Sequence, residues 1–268
     1  MIPSAQSMRK IMIAGLSFFL SAVVGMRAAV AASNVFYFFD ESPDSLRALD
    51  SSGEGFDFLY LGTSSQTTAI ARFGAGSLTL GSGPLTGFGE TVPPGAFEAL
   101  GDRISRMTIT LWVMPGIQKQ DGAEVFFLQR LNGSTGQGRF TFNCSAIPKL
   151  QFSTDRGPDD PTNSTVYSSQ IPAWSEGEWT HVAMTFDAGE VVFYLNGQPL
   201  DGPQSMPDGI TSILPSTDPA VTVFRGMVSS PGIQYVDDFG FFGDEALPPD
   251  AIQAIYNHGL KTYRESKK

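Results

Sequence analysis

The chain has 268 residues, 41% of them hydrophobic and 12% aromatic, with 29 Gly, 18 Pro and a single Cys, so it has ample apolar material for a core and no intramolecular disulfide to staple it. Its 27 acids against 17 Lys and Arg give a formal net charge of −10, which argues against nucleic acid and anionic membrane as partners. Two distant His and one Cys do not make a zinc set.

The first segment is a targeting signal by layout. Arg9-Lys10 precedes an apolar run from Ile11 to Met26, and Ala28 to Ser33 supplies the small residues of a cleavage site. Residues 1–32 are set apart from the fold as a signal peptide, cut after Ala31 or Ala32, with Met8 as an alternative start. The run is short for a span, so the chain is expected to be secreted or periplasmic, with no membrane span after cleavage. Cys144 lies far from that site, which excludes a lipoprotein anchor.

The remaining length suits one all-β domain. Asn34 to Asp40 (NVFYFFD) is an aromatic-rich first strand, followed by a loop rich in Asp, Ser and Gly, and a short apolar stretch lies within Ala71 to Gly81. Residues 82–103, rich in Gly and Pro, are expected to connect, with a short helix around Ala96 to Leu100. Strand patterns then follow quickly at Met107 to Pro115, Glu124 to Leu131, Gly138 to Ser145 and Lys149 to Thr154. Asp155 to Thr165 (DRGPDDPTNST) has the composition of a solvated loop.

From Trp179 to Leu200 the pattern is best specified. Val182, Met184 and Phe186 alternate with His181, Ala183 and Thr185; Asp187-Ala188-Gly189 supplies a turn; Val191, Phe193 and Leu195 resume the alternation; and Asn196-Gly197 signals a second hairpin. Two late strands span Ala220 to Met227 and Ile233 to Phe242. Pro248-Pro249 opens a helix in which Ile252, Ile255 and Tyr256 share a face and Gly259 follows the last turn; residues 261–268 are expected to be a solvated tail. Many short strands without crossover helices mean a sandwich or barrel.

Several of these motifs carry a resemblance. The Trp179-Thr180-His181-Val182-Ala183 run with Asn196-Gly197, Asp40-Glu41, the Asp50-Ser51-Ser52-Gly53-Glu54-Gly55 loop, the Phe73-Gly74 segment, and Asp237-Asp238 ahead of Leu247-Pro248-Pro249-Asp250 resemble the laminin-G-like domains of the concanavalin A-like lectin and glucanase superfamily. The likeness runs from Phe36 to Gly259. It implies an antiparallel two-sheet jelly-roll sandwich with one short C-terminal helix, over residues 33–260. It also implies a structural calcium ion, whose matching positions are Asp40 and Asp237 or Asp238. Asp237 and Asp238 are adjacent, so they face opposite ways unless a bulge intervenes. The alternative is one exposed acid and one satisfied by backbone amides or an Arg.

The same sandwich hosts glycoside hydrolases, but no Glu-x-Asp occurs in the chain, so the acid pair of the laminarinase type is missing. Ser153 to Gly157 gives half of a sialidase repeat and lacks its aromatic residue. His181 belongs to a strand and His258 to a helix end, and both read as structural. Trp112 and Trp179 belong to strand patterns and read as packed. Trp174, in a loop, is the aromatic candidate for stacking on a sugar, against the alternative of packing over the sandwich rim; Asp155, Asp159 and Asp160 are the candidate loop acids beside it. Asn132, Asn143 and Asn163 each begin a glycosylation sequon. The expectation is a monomeric, non-catalytic module that binds extracellular carbohydrate, with a scaffold binding a surface protein as the alternative and a divergent glycoside hydrolase behind both.

Overall fold

The computed structural model describes residues 34–61, 64–80, 88–92, 103–115, 125–131, 140–144, 149–157, 160–170, 175–214, 221–225 and 233–268. The signal segment and the expected helix at 96–100 lie outside them.

The chain begins with β1 (Val35–Tyr37), β2 (Arg47–Ala48), β3 (Asp57–Leu61), β4 (Ser65–Thr67), β5 (Ser77–Thr79) and β6 (Phe88–Val92). Next come β7 (Arg106–Pro115), β8 (Val125–Leu131), β9 (Phe140–Cys144), β10 (Leu150–Gly157) and β11 (Asp160–Tyr167). The hairpin β12 (Thr180–Asp187) and β13 (Glu190–Leu195) leads to β14 (Gln198–Pro199), β15 (Gln204–Ser205), β16 (Val221–Arg225), β17 (Ile233–Gly243), α1 (Pro249–His258) and α2 (Leu260–Glu265).

One sheet has the order β14-β13-β12-β7-β17-β5-β4, with β1 also on β17 and β15 on β13. A second runs β11-β10-β9-β8-β16, and β2-β3-β6 forms a third whose β6 lies against β16. Neighbours pair antiparallel, as β12 does with both β7 and β13. This is the two-sheet sandwich that the resemblance implied, one of the two architectures that the strand pattern left open.

The core lies between the layers. Val182, Met184 and Phe186 of β12 and Ile109, Leu111 and Val113 of β7 point into it. Three aromatic pairs tie one layer to the other: Phe140 with Phe241, Phe142 with Phe193, and Phe152 with Phe186, at 6.3, 6.3 and 5.8 Å between centroids. The other face of the large sheet is covered too. Ala183, Tyr194, Phe36 and Phe242 pack against Ala251, Ile252, Ile255, Leu260 and Tyr263 of the two helices. Each fully buried aliphatic side chain there contributes about 1.5–3 kcal/mol.

Local chemistry fixes the connections. Ala188 and Gly189 at the first hairpin turn, and Asn196 and Gly197 at the second, all have positive φ, as a two-residue turn with the twist of the flanking strands requires. Helix α1 has Pro in its first turn and His258 in its last, and it ends at Gly259, whose φ is +79° and whose N–H donates to the Ile255 carbonyl.

Three expectations need correcting. Residues 82–103 are not only a connection: β6 pairs with β3 from Phe88 to Val92. Glycine-rich composition concealed a strand that the sheet edge recruits. Asp155 to Thr165 is a strand hairpin rather than a solvated loop, with Phe152 opposite Val166 holding the register. Polar residues mark a loop only where neither face is buried, and here one face is. Finally, the solvated tail at 261–268 is largely helix α2: Tyr263 is buried and Arg264 donates to the Ser51 carbonyl at 2.8 Å. The single aromatic of this polar tail, Tyr263, docks it against Phe242.

Among the described residues no helix is long and apolar enough to cross a membrane.

Candidate functional site

Two regions gather polar side chains that were singled out in the sequence or lie next to them. One is the bulge in β17. The register against β7 breaks between Asp237 and Gly240, and Asp238 has φ +51°. The extra residue turns both adjacent acids inward, leaving Asp237 0% and Asp238 3% exposed.

Their carboxylates are met by backbone amides. Asp237 Oδ2 accepts from the N–H groups of Arg72 and Phe73 at 2.8 and 3.0 Å, and its Oδ1 accepts from Asp238 N–H at 2.7 Å. Asp238 Oδ2 accepts from Leu260 N–H, the first residue of α2, at 2.5 Å. Asp40 Oδ1 accepts from Ala75 N–H at 2.5 Å, and its other oxygen lies 4.0 Å from Lys261 Nζ. A side chain at Gly74 would stand 2.1 Å from Asp40 Oδ1, so this close approach requires glycine. Burial pushes Asp237 up to about 8, against its amide donors and with Asp238 adding repulsion. Burial likewise pushes Asp238 up to about 7, Leu260 N–H opposing and the Asp40 charge adding.

The clamp holds the loop at Arg72 and Phe73 over an aromatic stack. The Arg72 guanidinium lies 4.2 Å above Trp112, Phe73 meets Trp112 edge-on, and Trp112 stacks on Tyr256 of α1 at 5.3 Å. His181 sits in the same stack, fully buried, with Nε2 2.7 Å from Thr110 Oγ1. Burial first, and the Arg72 charge second, lower its pKa to about 3, so it is neutral and serves packing. His258, by contrast, is exposed at the end of α1.

For calcium, the arrangement fits in part. The bulge satisfies Asp237 with three N–H donors, the backbone-amide alternative raised from the sequence. Asp40 and Asp238 each accept one hydrogen bond and keep acceptor capacity. Among the described residues no three His, Cys, Asp or Glu side chains come together as a metal cluster, so backbone carbonyls and water would have to complete a shell.

The second region is the outward face of the small sheet. Paired residues in an antiparallel ladder share a face, so the register defines rows. Asn143, Gln151 and Tyr167 form one row across β9, β10 and β11; Thr141, Ser153 and Thr165 form the next; Asp155 and Asn163 extend it on β10 and β11. The intervening residues, Phe142, Phe152 and Val166, belong to the core. Gln151 Nε2 and Thr165 Oγ1 both donate to Ser153 Oγ, at 2.8 and 3.1 Å. Asn143, Ser153 and Asp155 are 1%, 5% and 3% exposed, whereas Tyr167 at the edge is 39% exposed. Asn143 Oδ1 is buried and has no hydrogen-bond partner.

Of the sequence candidates, Asp155 lies on this face, opposite Asn163. Asp160 starts β11 opposite Gly157, at the tip of the same hairpin. Trp174 and Asp159 lie outside the described residues, as does Asn132. Asn143 is too buried in the fold to be a glycosylation acceptor, while Asn163 is exposed. Trp112 is packed, and Trp179 is half-buried beside Tyr235. The sequence reading missed Asn143, Gln151, Ser153, Thr165 and Tyr167. A signal was present: the alternation that announced β9 and β10 also names every second residue as outward.

A family model described as the concanavalin A-like lectin/glucanases superfamily, of the laminin-G type, matches residues 90–225, about half of the chain. No curated protein matches. Solved structures share the fold at low identity. The binding domain of botulinum neurotoxin DC, in complex with rat synaptotagmin II, aligns with a TM-score of 0.60 and 15% identity over 84% of this chain and 51% of that one. Domain 4 of AbnA, a GH43 extracellular arabinanase from Geobacillus stearothermophilus, in complex with arabinotriose, aligns with a TM-score of 0.57 and 17% identity over 85% of this chain and 100% of that domain. A botulinum neurotoxin type C structure, whose cell entry is described as dependent on two ganglioside molecules, aligns with a TM-score of 0.59 and 16% identity over 84% and 51%. The chain thus spans about half the length of the neurotoxin chains.

Proposed function

This chain belongs to the laminin-G family of the concanavalin A-like lectin/glucanases superfamily, and on that premise we propose that it is an exported, non-catalytic module that binds extracellular carbohydrate through the outward face of β9, β10 and β11. The observation that carries the reading is that face itself. Eight amide, hydroxyl, phenol and carboxylate side chains stand in register on three adjacent strands, with Asn163 and Tyr167 exposed on the edge strand β11. Sugars are recognised by such planar arrays of hydrogen-bonding groups beside an aromatic edge, here Tyr167. The arabinotriose bound by the arabinanase domain and the gangliosides on which neurotoxin type C entry depends are in keeping with this use of the fold.

A non-catalytic role is supported by the chemistry of the available groups. No Glu-x-Asp run supplies a nucleophile and acid on one strand. The strand histidine is buried, neutral and bonded to a threonine. Export rests on the signal layout of residues 1–32, and a monomer is the working assembly.

The test is a polysaccharide and glycolipid array probed with the secreted chain, with and without calcium. Saturable binding to at least one glycan is the expected result. Silence throughout would overturn the carbohydrate reading in favour of a surface-protein partner, the kind of ligand named for the neurotoxin domain bound to synaptotagmin.

Calcium is proposed in a structural role only, held by Asp40 and Asp238 with backbone carbonyls and water. Its charge would offset two carboxylates that repel one another. A demetallated sample is expected to gain several degrees in unfolding midpoint on adding calcium, and identical midpoints would remove the ion from the account.

A further inference from the structure

We propose that the cleft between α2 and the segment leading into α1 is a second binding site, one that takes a dipolar peptide segment of a protein partner: a basic and an acidic side chain flanking an apolar one. It lies among the helices that cover the outer face of the large sheet, away from β9–β11, so it does not rest on the carbohydrate reading. The cleft has a volume of about 620 Å³, within the roughly 300–1,000 Å³ of ordinary ligand sites. Its floor is aromatic, built from Phe36, Phe242 and Tyr263, with Phe242 edge-on to Phe36 at 4.9 Å and to Tyr263 at 6.5 Å.

The walls carry opposite charge. On one side stand Arg264, Lys267 and Lys268 of the last turns; on the other, Glu245 and Asp250. Arg264 is pinned: its guanidinium lies 3.9 Å over the Phe36 ring, and its bond to the Ser51 carbonyl uses one of the five N–H groups of a fork shaped for a carboxylate. Lys267 Nζ stands 5.4 Å from the Tyr263 ring centre. Burial raises the Tyr263 hydroxyl, and the charges of Glu245 and Asp250 raise it further, which puts both carboxylates on its side of the cleft. Among the described residues no ion pair joins the two walls. Glu245, Asp250, Lys267 and Lys268 are exposed, so the opposed charges are open to a ligand.

Opposed charges select what can lie between them. An acidic glycan brings carboxylate or sulfate without a matching cation, and it would set like charge against Glu245 and Asp250. A polypeptide supplies both signs and an apolar side chain within a few residues. Its apolar side chain rests on the aromatic floor while its neighbours reach the acidic and the basic wall.

The experiment titrates the full chain with three labelled heptapeptides that share a central Phe between glycines and end in two Lys and two Glu, in four Lys, or in four Glu. The dipolar peptide is expected to bind about tenfold or more tighter than either control, and to weaken in high salt. Glu245→Lys, in the loop before α1 and so clear of the helix start, is expected to shift the preference to the four-Glu peptide. Lys267→Glu is expected to weaken the dipolar peptide by about threefold or more. Tyr167→Ala is expected to leave peptide binding unchanged, which separates this cleft from the β9–β11 face. Circular dichroism and unfolding midpoints check that the variants fold. Equal binding of the three peptides, silence on all of them, or an order unmoved by Glu245→Lys would overturn the proposal. Co-sedimentation with phosphatidylcholine vesicles while the peptides stay silent would overturn it in favour of a zwitterionic headgroup. Self-association in ultracentrifugation that Glu245→Lys abolishes, with the peptides silent, would overturn it in favour of a second copy of the chain.

Discussion

The bulge in β17 and the outward face of β9–β11 are both places where a strand carries buried polar side chains, yet they are finished differently. At the bulge, Asp237 receives three backbone N–H groups and Asp238 a fourth, so the protein's own loops close the site. On the small sheet, Asn143 Oδ1 is equally buried and receives nothing. A polar group satisfied from within holds structure together; one left unsatisfied at comparable burial costs stability until something else arrives. Trp112 Nε1 and His181 Nδ1 under the clamp are also buried without partners, so an unsatisfied group by itself does not mark a binding surface; the rows of hydroxyls and amides across β9, β10 and β11 are what distinguish the second region.

The contrast can be broken most severely at Asp237. Replacing it with Ala strands the N–H groups of Arg72, Phe73 and Asp238 and frees the loop over Trp112. A loss of about 3 kcal/mol or more is expected, with changed tryptophan fluorescence, measured by denaturant unfolding. A loss below half of that would mean that the clamp does not organise the loop.

Proton linkage gives the next effect. Asp237 and Asp238 have folded-state values near 8 and 7, above the ordinary 3.8 of the unfolded chain. Between these limits the folded state keeps protons that the unfolded state has released, so stability falls as pH rises from about 4 to about 8 and is regained on acidification. Unfolding midpoints across that range should show the slope, and Asp237→Asn should flatten it. A midpoint that rises with pH would reverse the sign and the account.

Smaller again is Gly197→Ala. Gly197 has φ +79°, and an added Cβ would lie 2.8 Å from Tyr256 Cβ, so about 1–2 kcal/mol should be lost, read from chemical unfolding. Least of all, Tyr167→Ala should leave stability within about 0.5 kcal/mol, because the ring is exposed, while weakening glycan binding. The two ends of this series make the comparison measurable: large stability effects with no ligand dependence at the bulge, ligand effects with little stability change on the sheet face.

The sequence by itself determined the all-β class, the Thr180 to Leu195 hairpin and its Asn196-Gly197 turn, the helix after Pro249, and which strand residues enter the core. These follow from periodicity and turn chemistry, which act over a few neighbours and are written in order along the chain. It also named Asp237 and Asp238 as a pair to watch, and stated that only a bulge could turn both inward. Tertiary structure alone decided that the bulge exists, that loop amides from residues 72 and 73, 165 positions and 164 positions away, fill Asp237, and that the tail docks through Tyr263. It likewise turned DRGPDDPTNST from an apparent loop into a strand pair and set Asn143, Ser153 and Thr165 side by side. Which polar groups meet across strands is a matter of register and long-range closure, and no local pattern encodes whether a buried acceptor finds its donor.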